Sequence, residues 1–113
     1  MIITLPWPPK ELSPNMRQHF MALARAKKSF RTACAWQAKA QGARSMQAQR
    51  LAVNLTFFPP DRRHRDADNC LASMKSGLDG LADVLGVDDS KWRVSFEMAA
   101  EIGGMVKVEV MAV

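Results

Sequence analysis

Two aspartates separated by one residue, Asp66 and Asp68, indicate chemistry most directly in this sequence. In an extended chain this spacing points both side chains to the same side. Carboxylates held together repel each other, and a divalent cation that prefers oxygen ligands relieves the repulsion. The pair therefore indicates a Mg²⁺ site, for which Mn²⁺ is a possible substitute. A structural alternative stays open, because Asp68 could be an N-cap with Asn69 opening the helix.

A second acidic pair, Asp88 and Asp89, follows the next predicted helix in the turn before a predicted strand. In a β-α-β arrangement the loop after one strand and the turn before the next can converge. That would bring a third carboxylate to the same ion. An EF-hand is excluded, because the glycine that its loop requires after the acidic positions is missing.

Positive charge precedes the first acidic pair, in the run Arg62, Arg63, His64 and Arg65. Guanidinium groups beside a carboxylate-held metal fit a phosphate substrate, whose nonbridging oxygens they can bind while the ion activates water. We expect His64 to contact phosphate or backbone, because Mg²⁺ rarely takes imidazole. Lys75 lies about two helical turns beyond Asp68 and on nearly the same face, so it could reach the phosphate or remain an ordinary exposed lysine.

The charge of the 113-residue chain is unevenly distributed, although 16 Lys+Arg against 11 Asp+Glu give only +5. Residues 1–60 carry nine basic residues and one acid, whereas residues 61–113 carry seven basic residues and ten acids. A basic half predicts a polyanionic partner and an acidic half a cation site, although a merely solvated surface has the same pattern. The outer face of a predicted helix, about residues 22–41, presents Lys28, Arg31 and Lys39.

The periodicity predicts a single α/β domain over residues 1–113, ordered β-α-β-α-β-β. We expect a mixed sheet of about four strands with two main helices packed on it. Apolar residues recur at helical spacing from Leu71 to Leu85, and Gly86 ends that helix. The last two strands alternate on either side of Gly103-Gly104 and predict an antiparallel hairpin. The first two predicted strands begin at Ile2 and Leu51.

Other residue types exclude several classes of protein. Cys34 and Cys70 lie in no metal-binding pattern, so they predict buried thiols and exclude a zinc finger. No triad of nucleophile, base and orienting acid can be assembled. Neither a signal peptide nor an apolar run of about 20 residues is present, which predicts a cytoplasmic protein without membrane association. The tryptophans are expected in the core or an interface rather than as base-stacking platforms, although Trp7 stands among prolines.

Four motifs occur in chain order: Ile3-Thr-Leu-Pro-Trp-Pro-Pro, Pro60-Asp-Arg-Arg-His-Arg-Asp-Ala-Asp-Asn, Leu78-Asp-Gly-Leu and Val87-Asp-Asp-Ser. In these motifs the sequence resembles the RusA-type Holliday-junction resolvases, which are metal-dependent endonucleases of bacteria and prophages. The resemblance spans nearly the whole chain, and its second motif is specific. It implies a homodimeric α/β fold, Mg²⁺ dependence, and paired nicks across a four-way DNA junction in a bacterial or prophage setting.

The resemblance also implies roles for individual residues. Asp66, Asp68 and Asp89 would be the metal-binding and catalytic acids, and Asp88 a neighbour that shapes the turn. Lys75 matches the helix lysine of the family by its spacing to Asp79, four residues on. The stretch between Asn69 and Lys75 is, however, about a turn longer than in the best-known member.

Two other functions stay open. In a non-catalytic DNA-binding module the aspartates would be caps and turns, and the basic residues alone would function. A phosphohydrolase of free nucleotides would leave the cationic helix without a role.

Overall fold

The computed structural model describes residues 1–113 and contains one mixed sheet of four strands and three helices. The strands are β1 (Ile2–Pro6), β2 (Leu51–Phe58), β3 (Trp92–Met98) and β4 (Met105–Ala112). The helices are α1 (Phe20–Ala40), α2 (Ala67–Ser73) and α3 (Lys75–Leu85). Short 3₁₀ turns span Lys10–Leu12 and Asp89–Lys91. The α/β class and the four-stranded mixed sheet predicted from the sequence are confirmed.

One face of the sheet forms the core against the helices. The alternate residues of β2 from Leu51 to Phe57 are buried, and so are Val106, Val108 and Val110 of β4. Period-two alternation places all of these side chains on the same face. None of the three helices is long and apolar enough to cross a membrane.

Helices α1 and α3 pack against each other with their backbones nearly in contact. A Cβ added at Gly80 would lie 2.2 Å from the carbonyl oxygen of Arg31, so only glycine fits there. Near this contact Cys34 is fully buried, and neither it nor Cys70 is in a disulfide. The prediction of two buried thiols is confirmed, and burial raises the pKa of Cys34 to about 12.

The predicted hairpin of the last two strands is wrong. The sheet order is β1-β4-β2-β3, so β2 separates β3, to which it is parallel, from β4, to which it is antiparallel. The connection crosses the end of β2, where the N–H of Ala99 donates to the Phe57 carbonyl and that of Gly104 to the Phe58 carbonyl, both at 2.8 Å. Alternation reports which face of a strand is buried, and it does not report the strand's neighbour.

The helix predicted through Leu71 and Leu85 is interrupted at Met74, where α2 ends and α3 begins. The hydroxyl of Ser73, the residue just before Met74, donates to the carbonyl of Asn69 at 2.8 Å. A serine that bonds the carbonyl four residues back competes with the helical ladder and bends a helix. Met74 itself is fully buried, so the apolar periodicity continues through the break and conceals it.

Candidate functional site

The arginine-rich loop after β2 is held by an ion pair within it. Asp61 accepts from the backbone N–H of Arg63 at 3.0 Å and lies 2.8 Å from a guanidinium nitrogen of Arg65. These two partners, Arg65 first, hold the pKa of Asp61 well below its usual range. The Arg65 guanidinium also lies 5.5 Å from the ring centroid of Trp7, and its side chain is only 17% exposed. Arg65 therefore positions the loop and is largely shielded from solvent.

The other cationic residues of this loop face solvent. Arg62 is exposed, and the side chains of Arg63 and His64 are 81% and 91% exposed. His64 Nε2 lies 3.5 Å from a carboxylate oxygen of Asp66. Of the four residues expected to bind DNA in this loop, three can therefore reach a ligand in solution.

The first acidic pair lies at the beginning of α2, and the N-cap residue is the other member of the pair from the one suggested by the sequence. The N-cap of α2 is Asp66, and Asp68 lies within the first helical turn. The N-cap interpretation of Asp68 is therefore wrong. The Asp66 side chain makes no capping hydrogen bond and is 68% exposed, so its carboxylate stays available to a ligand.

Lys75, the first residue of α3, joins two carboxylates that are far apart in sequence. Its Nζ lies 2.6 Å from Asp79 Oδ1 and 2.5 Å from Asp89 Oδ2. These hydrogen bonds, that of Asp79 first, raise the pKa of Lys75. Lys75 is thus not an isolated surface lysine. Its contact selects Asp89 over Asp88 as the member of the second pair that joins this group.

Asp88 has a structural contact of its own. Its carboxylate accepts from the N–H of Ser90 at 3.1 Å and caps the 3₁₀ turn before β3. Ser90 lowers the pKa of Asp88, through its side chain first and its backbone N–H second. The indole N–H of Trp92 donates to the Val87 carbonyl at 3.0 Å and anchors the other side of the turn. Asp88 therefore shapes the turn that carries Asp89.

The expected convergence of Asp66, Asp68 and Asp89 on one point is not present in this arrangement. No three His, Cys, Asp or Glu side chains lie close enough together to hold a metal ion. The physical reason is topological: β2 and β3 are parallel, so the loop that leaves β2 and the turn that enters β3 start from opposite ends of the sheet. The carboxylates of Asp66 and Asp68 are nevertheless the donor type that Mg²⁺ takes, whereas Asp89 is held by the ammonium of Lys75.

Two adjoining cavities connect the halves of the candidate site. The larger, about 640 Å³, lies between the proline-rich loop after β1 and the arginine-rich loop, and Asp66, Arg63 and His64 line it. The smaller, about 380 Å³, is lined by Lys75 and Asp79. Ser13 and Ser73 line both cavities. We call this continuous depression from Asp66 to Lys75 the furrow.

The cationic face expected on α1 is present in part. Arg31 is held by Asp83 of α3, whose two carboxylate oxygens each accept a 2.8 Å hydrogen bond from its guanidinium. Arg31 is therefore neutralised where the two helices meet. Lys28 and Lys39 are exposed and have no ion-pair partner.

The three tryptophans occupy different environments. Trp92 is buried as predicted, and Trp7 packs edge-on against Phe57 at 5.9 Å between ring centroids. Trp36 of α1 is 70% exposed, so of the two predicted places, the core and an interface, the core is excluded. The residue lies on the side of α1 opposite the buried Phe30 and Cys34, as helical geometry requires from its position.

Sequence reasoning did not assign a role to Asp61 or a contact to Asp79, although both contact a predicted site residue. Each is separated by four residues from its partner, Asp61 from Arg65 and Lys75 from Asp79. Opposite charges at this spacing are the signal that could have found them within a helix. Asp61 and Arg65 lie in a loop, where a spacing of four residues does not predict a contact.

Comparison with known proteins assigns no activity to this arrangement. A protein of Xylella fastidiosa (strain Temecula1), named only as an uncharacterized protein, is 40% identical over 93 residues. The alignment covers 80% of this chain and 61% of that protein, so the chain spans less than two thirds of its relative. No protein-family model matches the chain.

Proposed function

We propose that this protein is a Mg²⁺-dependent endodeoxyribonuclease that resolves four-way DNA junctions by paired phosphodiester cleavage. The observation that carries the proposal is the furrow. It places the exposed carboxylate of Asp66 and the cationic loop at one end, and Lys75 with its bound Asp89 at the other. Acids, cations and an open polar depression are what hydrolysis of a phosphodiester requires.

Asp66 and Asp68, which lie together at the beginning of α2, would hold the ion, which supplies an activated water and charge stabilisation at the leaving oxygen when it is bound. Arg63 and His64 bind nonbridging phosphate oxygens, because their exposed side chains line the furrow with Asp66, and Arg62 adds an exposed cation in the same loop.

Lys75 contributes at the other end of the furrow. Its ammonium holds the carboxylate of Asp89 and offsets the negative charge that phosphate brings to the acids. The side chain is 62% exposed, so it can exchange a carboxylate partner for a phosphate oxygen.

The substrate class follows from the charge and from the resemblance to the resolvases. Lys28 and Lys39 extend positive charge along α1 beyond the furrow. A small nucleotide bound in the furrow would not reach these lysines, whereas a DNA backbone would. Paired cleavage requires two sites, and a homodimer with a two-fold axis matches the symmetry of a four-way junction.

The test compares an end-labelled immobile four-way junction with a linear duplex of the same sequence, each incubated with and without Mg²⁺. The proposal predicts nicks in the junction only, and only with the metal. Glu101→Gln changes an exposed acid outside the furrow and is expected to cut like the wild type. Equal cleavage of junction and duplex would contradict the proposed specificity for four-way junctions. Cleavage of neither DNA would contradict the proposed endonuclease activity.

A non-catalytic DNA-binding module is the second candidate, favoured by the cap that Asp88 makes and the N-cap position of Asp66. It predicts binding to the junction with no nick in either metal, Mg²⁺ or Mn²⁺.

A further inference from the structure

Trp36 of α1 has a largely exposed ring, and it lies on a face of that helix with no partner in this chain. Its indole is 70% exposed, whereas the opposite side of α1 buries Phe30, Cys34 and Ala38 in the core. Covering the exposed part of this indole would recover free energy that the fold of this chain leaves unused.

The residues around Trp36 on the helix surface are cationic or small. Lys39 lies three residues after it, Thr32 four before, and Lys28 and Arg25 farther along the same side. All four are exposed. Helix α1 contains no acid, and the acid of α3 nearest this side, Asp83, is already bound to Arg31. We call this surface the Trp36 face.

We propose that the Trp36 face binds an unpaired DNA strand, with a base stacked on the indole and the flanking cations on backbone phosphates. Positive charge interrupted by an aromatic ring is the combination that single-stranded nucleic acid recognises, because every base offers a π-face and every nucleotide a phosphate. The bases of a continuous duplex have their faces covered by neighbours, and exposing one costs a few kcal/mol. The face therefore favours DNA with an unpaired base over uninterrupted duplex.

A second copy of this chain is a poorer occupant. Two-fold packing of the Trp36 face would oppose Arg25, Lys28 and Lys39 of one copy to the same residues of the other, with no acid of the helix to pair them. Like charges across a desolvated interface are unfavourable, whereas a phosphate backbone complements all three.

This inference rests on the proposed function in one respect, namely that the protein acts on branched DNA. It adds a feature of that substrate, an unpaired base, which the residues of the furrow do not recognise.

The experiment measures binding of a fluorescently labelled oligothymidine and of an abasic strand of the same length, in EDTA so that no cleavage intervenes. Both strands carry the same phosphates, and only one carries bases. Wild type is expected to bind the thymidine strand about tenfold more tightly, since stacking of one base contributes about that factor. Trp36→Ala is expected to lose this preference while its affinity for the abasic strand stays the same.

Lys39→Gln is the matched control on the same face. It should weaken binding of both strands alike and reduce the slope of log affinity against log salt by about 0.7. Far-UV circular dichroism checks that α1 persists in each variant, which is expected because alanine and glutamine are good helix formers.

Two results would overturn the inference: a wild type that binds both strands equally, or a Trp36→Ala variant that keeps the preference. A Trp36→Ala variant that retains the preference but changes from dimer to monomer in sedimentation would assign the face to a second copy. If the thymidine preference depends on Trp36 but no branched DNA is cut, the endonuclease proposal fails alone. If junctions are cut but Trp36→Ala binds as wild type does, the stacking proposal fails alone.

Discussion

Lys75 joins two parts of the candidate site, since its ammonium contacts one acid of α3 and one acid of the turn before β3. Replacing it with methionine keeps the length of the side chain and removes the charge. Asp79 and Asp89 would then repel each other, and phosphate would lose a cation. We expect single-turnover cleavage of a junction to fall by about 100-fold or more, as when one charge-stabilising donor is removed.

The stability of Lys75→Met should change by less than about 1 kcal/mol, because the ion pairs are partly exposed to solvent. Lys91→Met is the control, since this exposed lysine ends the same turn and its ammonium forms no ion pair. An equal loss of cleavage in both variants would mean that the turn's overall charge matters and that the position of Lys75 does not.

Asp61 provides a prediction about how the protein responds to acidic pH. Arg65 and the N–H of Arg63 lower its pKa in the folded protein, so the ionised Asp61 stabilises the fold. This stabilisation is fully present above the unfolded pKa of about 3.9. It is lost progressively as pH falls from that value through the lowered folded pKa. In a carbon-detected NMR titration the Asp61 carboxyl should remain ionised at pH 3. In Arg65→Gln its pKa should rise toward the ordinary value, with the interactions with Arg63 still lowering it, and an ordinary pKa in the wild type would contradict the ion pair.

At the scale of elements, the seam between α1 and α3 depends on Gly80. A methyl group there would press on the carbonyl of Arg31, which is backbone and cannot rotate away. Overpacking of this kind costs about 1–3 kcal/mol and exceeds the gain in helix propensity. We expect Gly80→Ala to lower the free energy of unfolding in urea by about 1–2 kcal/mol.

Asp83→Ala is the control for this seam, because it removes the Arg31 ion pair between the same helices without adding volume. The pair is half exposed, so its loss should change stability by less than about 1 kcal/mol. If Asp83→Ala proved the more damaging change, the seam would depend on charge and not on the close approach.

The elements also mark where sequence reasoning succeeds and where it stops. The alternation of β2 and the stripe of α3 are local consequences of burial, so they can be predicted from one sequence. The order of the strands depends on which edge β4 adds to, and the break at Met74 depends on a side-chain hydrogen bond from Ser73. Neither the strand order nor the break at Met74 changes the spacing of apolar residues along the sequence, so neither can be predicted from it.

The same distinction holds for the candidate site. Residue types and spacing predicted that the turn with Asp88 and Asp89 approaches the first acidic pair, and the structure brings Asp89 into contact with Lys75 instead. They could not predict that Arg31 is tied to Asp83, or that Arg65 is turned inward against Asp61 and Trp7. Those pairings join segments whose relative positions only the folded chain defines.

At the scale of the whole molecule, the chain measures 39 × 34 × 24 Å and carries one furrow. One such body would present one site for the proposed cleavage, so paired cleavage predicts a dimer. Equilibrium sedimentation at micromolar concentration should give a mass twice the 12.6 kDa of this chain. A mass of one chain with or without junction DNA would contradict the two-site arrangement.

The most direct test of the central claim is the single-turnover rate at which Asp68→Asn nicks an immobile four-way junction in Mg²⁺. Asp88→Asn is its matched control, because asparagine can keep the cap on Ser90 and the acid lies outside the proposed ligand set. Wild type and Asp88→Asn are expected to cut at similar rates, whereas Asp68→Asn should still bind the junction but cut it at least about 100-fold more slowly. An Asp68→Asn variant that nicks the junction at the wild-type rate would contradict the central claim.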